Sequence, residues 1–279
     1  MPGALLRRSG VVRLMLLAQL GSGFLLAALA LIAFSAAAAL RAGRRGDQRW
    51  GRVGLRAFVA GFVCVAGASA TLLAALLGRD FAIAFVVDHT DRSLPLPLTA
   101  AAFYGGQEGS LLYWLLLLSA FGSVALASAR HRVRLAAYAN LVLAGVALFF
   151  LVVLVAVASP FALLPVTPPD GAGLNPILRD GGMLVHPPFL LAGYSSFAVP
   201  FAFAMAALAG GGEGEGWVAL TRRYALVAWG LQSVGLTLGM WWAYHVLGWG
   251  GYWGWDPVEN AALMPWLATT AYLHSVQVQ

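Results

Sequence analysis

The chain has no lysine, a single cysteine and few charges of any kind. Only 10% of its 279 residues are charged, whereas a soluble domain carries about 25%. With 61% hydrophobic residues and a mean hydropathy of +0.80, there is too little polar surface to coat a water-soluble ball. One cysteine, Cys64, excludes an internal disulfide and a C-x-x-C redox pair. Set in an apolar run, it reads as a small buried apolar residue. Any thiol chemistry must therefore use a partner's cysteines. The net charge of +6 is carried by arginine alone. Those arginines sit in short clusters between apolar runs, where they set membrane orientation. That placement argues against a nucleic-acid partner.

What the chain does have is long apolar runs. A spanning helix needs about 20 apolar residues, and seven stretches qualify: Leu14–Leu40, Ala57–Leu77, Ser110–Ala129, Leu135–Ala158, Phe189–Ala209, Ala225–Tyr244 and Ala261 onward. The runs are continuous rather than alternating, so they read as helices. The first, from Val11 to Leu40, exceeds the roughly 7–15 residues of a signal-peptide core and ends in no A-x-A-like site. It is expected to be a retained helix. The expected fold is an all-α integral membrane protein of about seven transmembrane helices, a single transmembrane domain over residues 1–279.

The loops fall into two sets. One holds Arg41, Arg44, Arg45, Arg49, Arg52, Arg56, Arg130, Arg132, Arg134, Arg222 and Arg223. The other holds Arg79, Arg92 and Arg179, together with the dissenting Arg7, Arg8 and Arg13 of the amino terminus. Arginine-rich loops stay in the cytoplasm. This puts the amino terminus outside, with the long loops Arg79–Gly109, Ser159–Pro188 and His245–Asn260 on the outer, periplasmic face. Long loops are more often functional than short ones, so the chemistry is expected there. On the inner side Gly210–Gly216 reads as a flexible linker.

The strongest local feature is Trp249-Gly-Gly-Tyr-Trp-Gly-Trp-Asp-Pro-Val-Glu-Asn260, preceded by Trp241 and Trp242 and followed by Trp266. Tryptophan at a membrane surface is ordinarily an interfacial anchor. That explains one or two, not four in eighteen residues, interleaved with glycine and closed by Asp256 and Glu259. Glycine lets a backbone approach a flat ligand closely, and indole faces stack on planar aromatics. Residues 245–266 thus suit a planar, amphipathic macrocycle. Asp256 and Glu259 could hold the backbone of this shelf or meet a partner.

The string WGGYWGWDPVENA resembles the tryptophan-rich segment of the haem-handling protein superfamily. Its continuation DPVENAALMPWL looks like the CcmF branch, the haem lyases of cytochrome c maturation. Asp88–Pro95 (DHTDRSLP), Gly105–Trp114 (GGQEGSLLYW) and His186–Tyr194 (HPPFLLAGY) fit that family in the same order. The chain departs from it at Tyr244-His245-Val246-Leu247, where the family usually has Tyr-x-Glu-Leu. His245 could be an alternate ligand, but an incidental surface histidine is the simpler reading.

The resemblance implies a set of roles. Haem would lie on Trp249, Trp253 and Trp255 beside Asp256, with His186 as an axial ligand at the start of a helix. His274, about 20 Å into the last helix, would be an axial ligand of a second, b-type haem inside the bundle. The family places the partner histidines further along a chain more than twice this length, so this sequence is expected to be part of a longer protein. No general base for thiol addition is identifiable, and whether this chain alone is an enzyme stays open. The function implied is haem binding at the outer face of the bacterial inner membrane and thioether attachment to the C-x-x-C-H cysteines of apocytochrome c. A haem chaperone, thiol-reducing maturation proteins of the CcmH type and quinol would be partners. A transporter of haem or another aromatic solute, and a non-catalytic scaffold of the maturation complex, are the alternatives. His131, among arginines, reads as solvated. His89 lies in a family motif without an assigned role. Gln107 and Glu108 suit a helix start, with a structural or docking role beside it.

Overall fold

The computed structural model describes residues 2–210 and 216–277, with side chains from residues 16–210 and 216–276. The arginine side chains at 7, 8 and 13, and most of the expected 210–216 linker, lie outside the described residues. Seven long helices coincide with the seven apolar runs. They are α1 (Pro2–Arg45) and α2 (Gln48–Leu77), then, after two short helices α3 (Ala84–His89) and α4 (Leu96–Ala101), α5 (Gln107–Ser128), α6 (Val133–Ala156), α7 (Gly182–Gly210), α8 (Gly216–Val246) and α9 (Pro257–Gln277).

Helix ends follow local chemistry. Arg44 and Arg45 close α1, Gly46 turns the chain at a φ of 65°, and Asp47 caps α2 by accepting from the Arg49 and Trp50 N–H groups at 2.8 and 3.3 Å. In the middle, Phe58, Leu72, Leu112, Leu115, Leu118, Leu143 and Phe203 are fully buried. Ser35 Oγ donates to Gly54 O (2.8 Å) and to Asn140 Oδ1 (3.1 Å), tying α1, α2 and α6 where glycine lets the first two helices meet. Cys64 is half-buried and packs against this core.

Among the described residues, five helices are long and apolar enough to cross a membrane: α1 from Leu16, α2, α5, α6 and α7. The last two long helices, of 31 and 21 residues, have the length but not the apolarity, so the expected seven spans exceed these five. Arg222, Arg223 and Gln232 dilute α8; Glu259, Asn260, Thr270 and His274 dilute α9.

The connections gather at two ends. At one, Arg41, Arg44, Arg45, Arg49, Arg52, Arg56 and Arg130 are exposed, and Ser128 meets the Tyr224 hydroxyl at 2.9 Å. At the other, residues 79–106 and 159–181 knit into one layer. Ile83 and Leu163 form an antiparallel bridge, Ala172 N donates to Val87 O (2.8 Å), and Gly173 N to Thr90 O (3.1 Å). Arginines brace it. Arg179 pairs with Asp91 at 3.0 Å, Arg79 donates to the Asp91 and Leu94 carbonyls (3.0 and 2.8 Å), and Arg92 donates to Pro169 O (3.1 Å). The three arginines expected on this side therefore do internal structural work.

Candidate functional site

His186 rides on α7, which begins four residues earlier than the sequence suggests. Asp180 is the reason. Its Oδ1 accepts from Gly182 N at 2.7 Å and its carbonyl from Met183 N at 3.1 Å, which starts the helix at Gly182. Pro187 and Pro188 then fall in the second turn rather than the first. The His186 Nδ1 lies 2.9 Å from Gly235 O on α8. A carbonyl can only accept, so Nδ1 carries the proton and Nε2 keeps its lone pair. This is the arrangement in which a second hydrogen bond orients a metal-ligating imidazole.

Glycine makes room for that ring. A Cβ at Gly239 would stand 2.7 Å from His186 Cε1, and one at Gly235 would stand 2.7 Å from Leu190 Cα. Trp242 stacks obliquely on His186, centroids 5.5 Å apart. Gly235, Gly239 and Trp242 fall at i, i+4 and i+7, one face of α8.

The tryptophan-rich stretch is held from its carboxy side by a reciprocal cap on α9. Asp256 Oδ1 accepts from Glu259 N (2.7 Å), while Glu259 Oε2 accepts from Gly254 N (2.8 Å) and Asp256 N (3.3 Å). This is a capping box with Pro257 at the first helical position. Of the two roles foreseen for these carboxylates, holding the backbone is the one their bonds serve. The cap also starts α9 at Pro257, so His274, seventeen residues on, lies about 26 Å along the helix at 1.5 Å per residue. Trp255 sits at a φ of 56°, a conformation rare for a bulky residue, and is 69% exposed. Trp249 and Tyr252 are exposed as well.

Between α7, α8 and the start of α9 lies a cavity of about 140 Å³, walled by His186, Gly239, Trp242, Trp253, Asp256 and Glu259 among apolar residues. The indole N–H groups of Trp242 and Trp253 are buried there without a hydrogen-bond partner. Unpaired buried donors are uncommon, and two on one cavity wall mark a place where an acceptor is wanted. Enclosed ligand pockets run to about 300–1,000 Å³. A macrocycle would thus enter this cavity in part, with the rest against the exposed indoles. A larger apolar cavity of about 610 Å³ between α2, α4 and α5 gathers no comparable ligating group.

The structure thus unites His186, Trp253 and Asp256 and leaves Trp249 and Trp255 on the exposed side. His274 stands apart from this cavity. It is exposed on α9, with Nδ1 2.8 Å from Thr270 O, which again leaves Nε2 with the lone pair. The family reading had it inside a bundle. Among the described residues its face of α9 is open because α9 packs chiefly on α8. His245 stacks beside Trp241 and reaches Asp180 Oδ1 at 3.7 Å. His89 is a packing residue, stacked on Phe85 and bonded to its carbonyl. Its ring fills the space a side chain at Gly106 would take. His131 is exposed. Glu108 stands in the first turn of α5.

Three residues of the site escaped sequence reasoning. Trp242 belongs to the cavity wall, and its spacing from Gly235 and Gly239 is the signal that could have shown it. Asp180 both caps the His186 helix and meets His245; an Asp two residues before a glycine-led helix is a capping signal. Gln232, fully buried, donates to Ala262 O at 2.9 Å and joins α8 to α9. That contact has no local signature.

The sequence pattern of the family described as cytochrome C assembly protein matches residues 104–279. Among curated proteins, the cytochrome c-type biogenesis protein CcmF of Pseudomonas aeruginosa is 42% identical over 262 residues, 93% of this chain and 40% of that protein. The CcmF of Escherichia coli is 40% identical over 263 residues, with the same shares. The biogenesis protein NrfE of Haemophilus influenzae is 41% identical over 198 residues, 71% of this chain and 31% of that protein. Among solved structures, cytochrome c heme lyase CcmF superposes with a TM-score of 0.79 at 36% identity, over 95% of this chain and 42% of that one. The chain spans about 40% of the length of the first two relatives.

Proposed function

The chain belongs to the cytochrome C assembly protein family, similar to the amino-terminal portion of CcmF proteins, and on that footing we propose that it holds haem for attachment to apocytochrome c. Its setting is a multi-pass membrane protein. The proposal adds that seven helices cross the bacterial inner membrane, with the basic end in the cytoplasm and the loop end, the tryptophan-rich 245–266 segment included, in the periplasm. The charge asymmetry supports this orientation.

One observation carries the haem reading. The bond from His186 to Gly235 O sets the tautomer that an iron ligand needs, and it does so on a cavity wall with two unpartnered indole donors. The residues present fit the group. His186 would supply an imidazole ligand to its iron, Trp242 and Trp253 would offer N–H groups to its acceptors, and Trp249 and Trp255 would pack against it. Asp256 shapes the shelf through the α9 cap. The iron porphyrin supplies the reactive vinyl groups and the redox centre. His186 would orient it, and the apolar wall would limit water at one edge. The cysteine thiols of a C-x-x-C-H segment must come from the apocytochrome, since the chain has only Cys64, midway along α2. His274 is proposed as a ligand of a second, b-type haem completed by residues beyond this chain. A haem chaperone, CcmH-type proteins and quinol remain proposed partners. The scaffold alternative gives no role to the two unpartnered indole donors on the His186 cavity wall.

Haemin titration into the purified chain in nanodiscs, read by Soret absorbance and tryptophan quenching, tests the proposal. His186→Ala is expected to weaken binding by at least about tenfold, or about 1.4 kcal/mol. Equal affinity in the two proteins would leave the scaffold alternative standing.

A further inference from the structure

The opposite end of the bundle carries a site that haem handling leaves unused. Between α2, α5 and α6 lies a cavity of about 30 Å³ whose polar wall is Gln48, Arg52, Arg130 and Asn140, rimmed by Leu55 and Leu126. Asn140 is only 3% exposed. Its Oδ1 accepts from Ser35, which leaves the amide N–H groups without a partner among the described residues. Neither guanidinium makes a hydrogen bond or an ion pair among the described residues, and both arginines are exposed. The one described carboxylate at this end, Asp47, accepts from backbone N–H groups as the α2 cap.

Each polar group on this wall can donate, and the guanidiniums can do nothing else. The cavity therefore selects an anion. Its volume decides which kind. A water-sized group needs about 10–15 Å³ by this measure, so one or two oxygens enter and a nucleotide base does not. The surroundings are those of a bilayer boundary, since α2, α5 and α6 are all long and apolar enough to cross a membrane. Below Arg52, Leu55, Val59 and Val63 make an i, i+4, i+8 apolar stripe, and Val59 and Val63 are exposed. Basic pockets between membrane helices suit anionic headgroups.

We propose that this cavity seats the phosphate of an anionic phospholipid from the leaflet at the basic end. Arg52 and Arg130 clamp the phosphodiester, the Asn140 amide donates from inside, and an acyl chain runs along the α2 stripe. The site is a specific lipid ligand that fixes α2 against α5 and α6, independent of whether haem binds elsewhere.

The test uses the full chain reconstituted in phosphatidylcholine, with or without phosphatidylglycerol. Thermal unfolding and native mass spectrometry of retained lipid are the readouts. Phosphatidylglycerol is expected to raise the unfolding temperature by about 2–4 °C and to remain bound. Arg52→Gln with Arg130→Gln should abolish both effects, while Arg44→Gln with Arg45→Gln, which removes equal charge away from the cavity, should keep them. Loss of the effects in the second pair as well would show diffuse charge attraction and overturn the proposal. Inorganic phosphate in pure phosphatidylcholine giving the same shift would overturn the lipid assignment, as would no shift with phosphatidylglycerol.

Discussion

The layer made of residues 79–106 and 159–181 and the stretch around Trp249–Trp255 stand at the same end of the bundle, yet one is closed and the other open. The layer satisfies itself almost throughout, Asp80 Oδ2 being its one buried side-chain atom without a partner among the described residues. Its backbone pairs across the two loops, its arginines bond carbonyls and Asp91, and Thr90 and Thr99 are buried with their hydroxyls bonded. The tryptophan stretch is fixed by the Asp256–Glu259 cap and by Trp249 Nε1 bonding Gly251 O, and otherwise it exposes its rings. A segment that needs only to be stable closes its polar groups. One that leaves large aromatics exposed and the Trp253 indole donor unpaired is shaped to meet another surface.

The comparison is broken most severely at Gly171. A Cβ there would stand 1.9 Å from Thr90 O, backbone against backbone. Gly171→Ala should separate the two loops and destabilise the chain by about 3 kcal/mol, read as a lower unfolding temperature in detergent. A Gly248→Ala control in the open stretch, where a Cβ meets nothing within 4 Å, should be close to neutral.

Asp180 is where the two regions touch. Asp180→Ala removes the α7 cap and should cost about 1 kcal/mol. Asp180→Asn keeps an acceptor for Gly182 N and loses only the contact with His245, a change of about 0.5 kcal/mol or less. Chemical denaturation of the two variants side by side separates capping from pairing.

The smallest effects are pH-dependent and of opposite sign. Burial holds the Asp80 carboxyl above the usual carboxylate range against the Ala82 N–H, whereas the Ser93 hydroxyl, aided by Arg179, holds Asp91 below it. For Asp91 the folded form prefers the charge, so its contribution is present at neutral pH and lost as the medium is acidified through its lowered value. For Asp80 the folded form prefers the proton, so stability falls as pH rises through its raised value. Asp91→Asn should destabilise the chain at neutral pH, and Asp80→Asn should stabilise it. Both differences should shrink on acidification, as followed by unfolding temperature across a pH series.

The long helices were legible because each contains a largely apolar run, sharpest in α1, α2, α5, α6 and α7 and diluted by polar residues in α8 and α9. Their ends were less so. Helices α7 and α9 begin earlier than the apolar pattern because Asp180 and Asp256 cap them, and capping is a matter of one side chain rather than of periodicity. The loop layer was not legible. The Ile83–Leu163 bridge joins residues eighty positions apart, and no local pattern encodes such a pairing. At the site, His186, Trp253 and Asp256 were found from their motifs. Gly235 and Gly239 act through their lack of a side chain, and Trp242 shares their face of α8 at i+7, a spacing the sequence carries but which points to His186 only once α7 is laid beside it.

The central claim is that His186 is an iron ligand, and resonance Raman spectroscopy of the ferrous haem-loaded chain tests it most directly. With His274→Ala as the background, an iron–imidazole stretching mode is expected, absent once His186→Ala is added and restored there by added imidazole. Persistence of the mode in the double variant without imidazole would contradict the assignment.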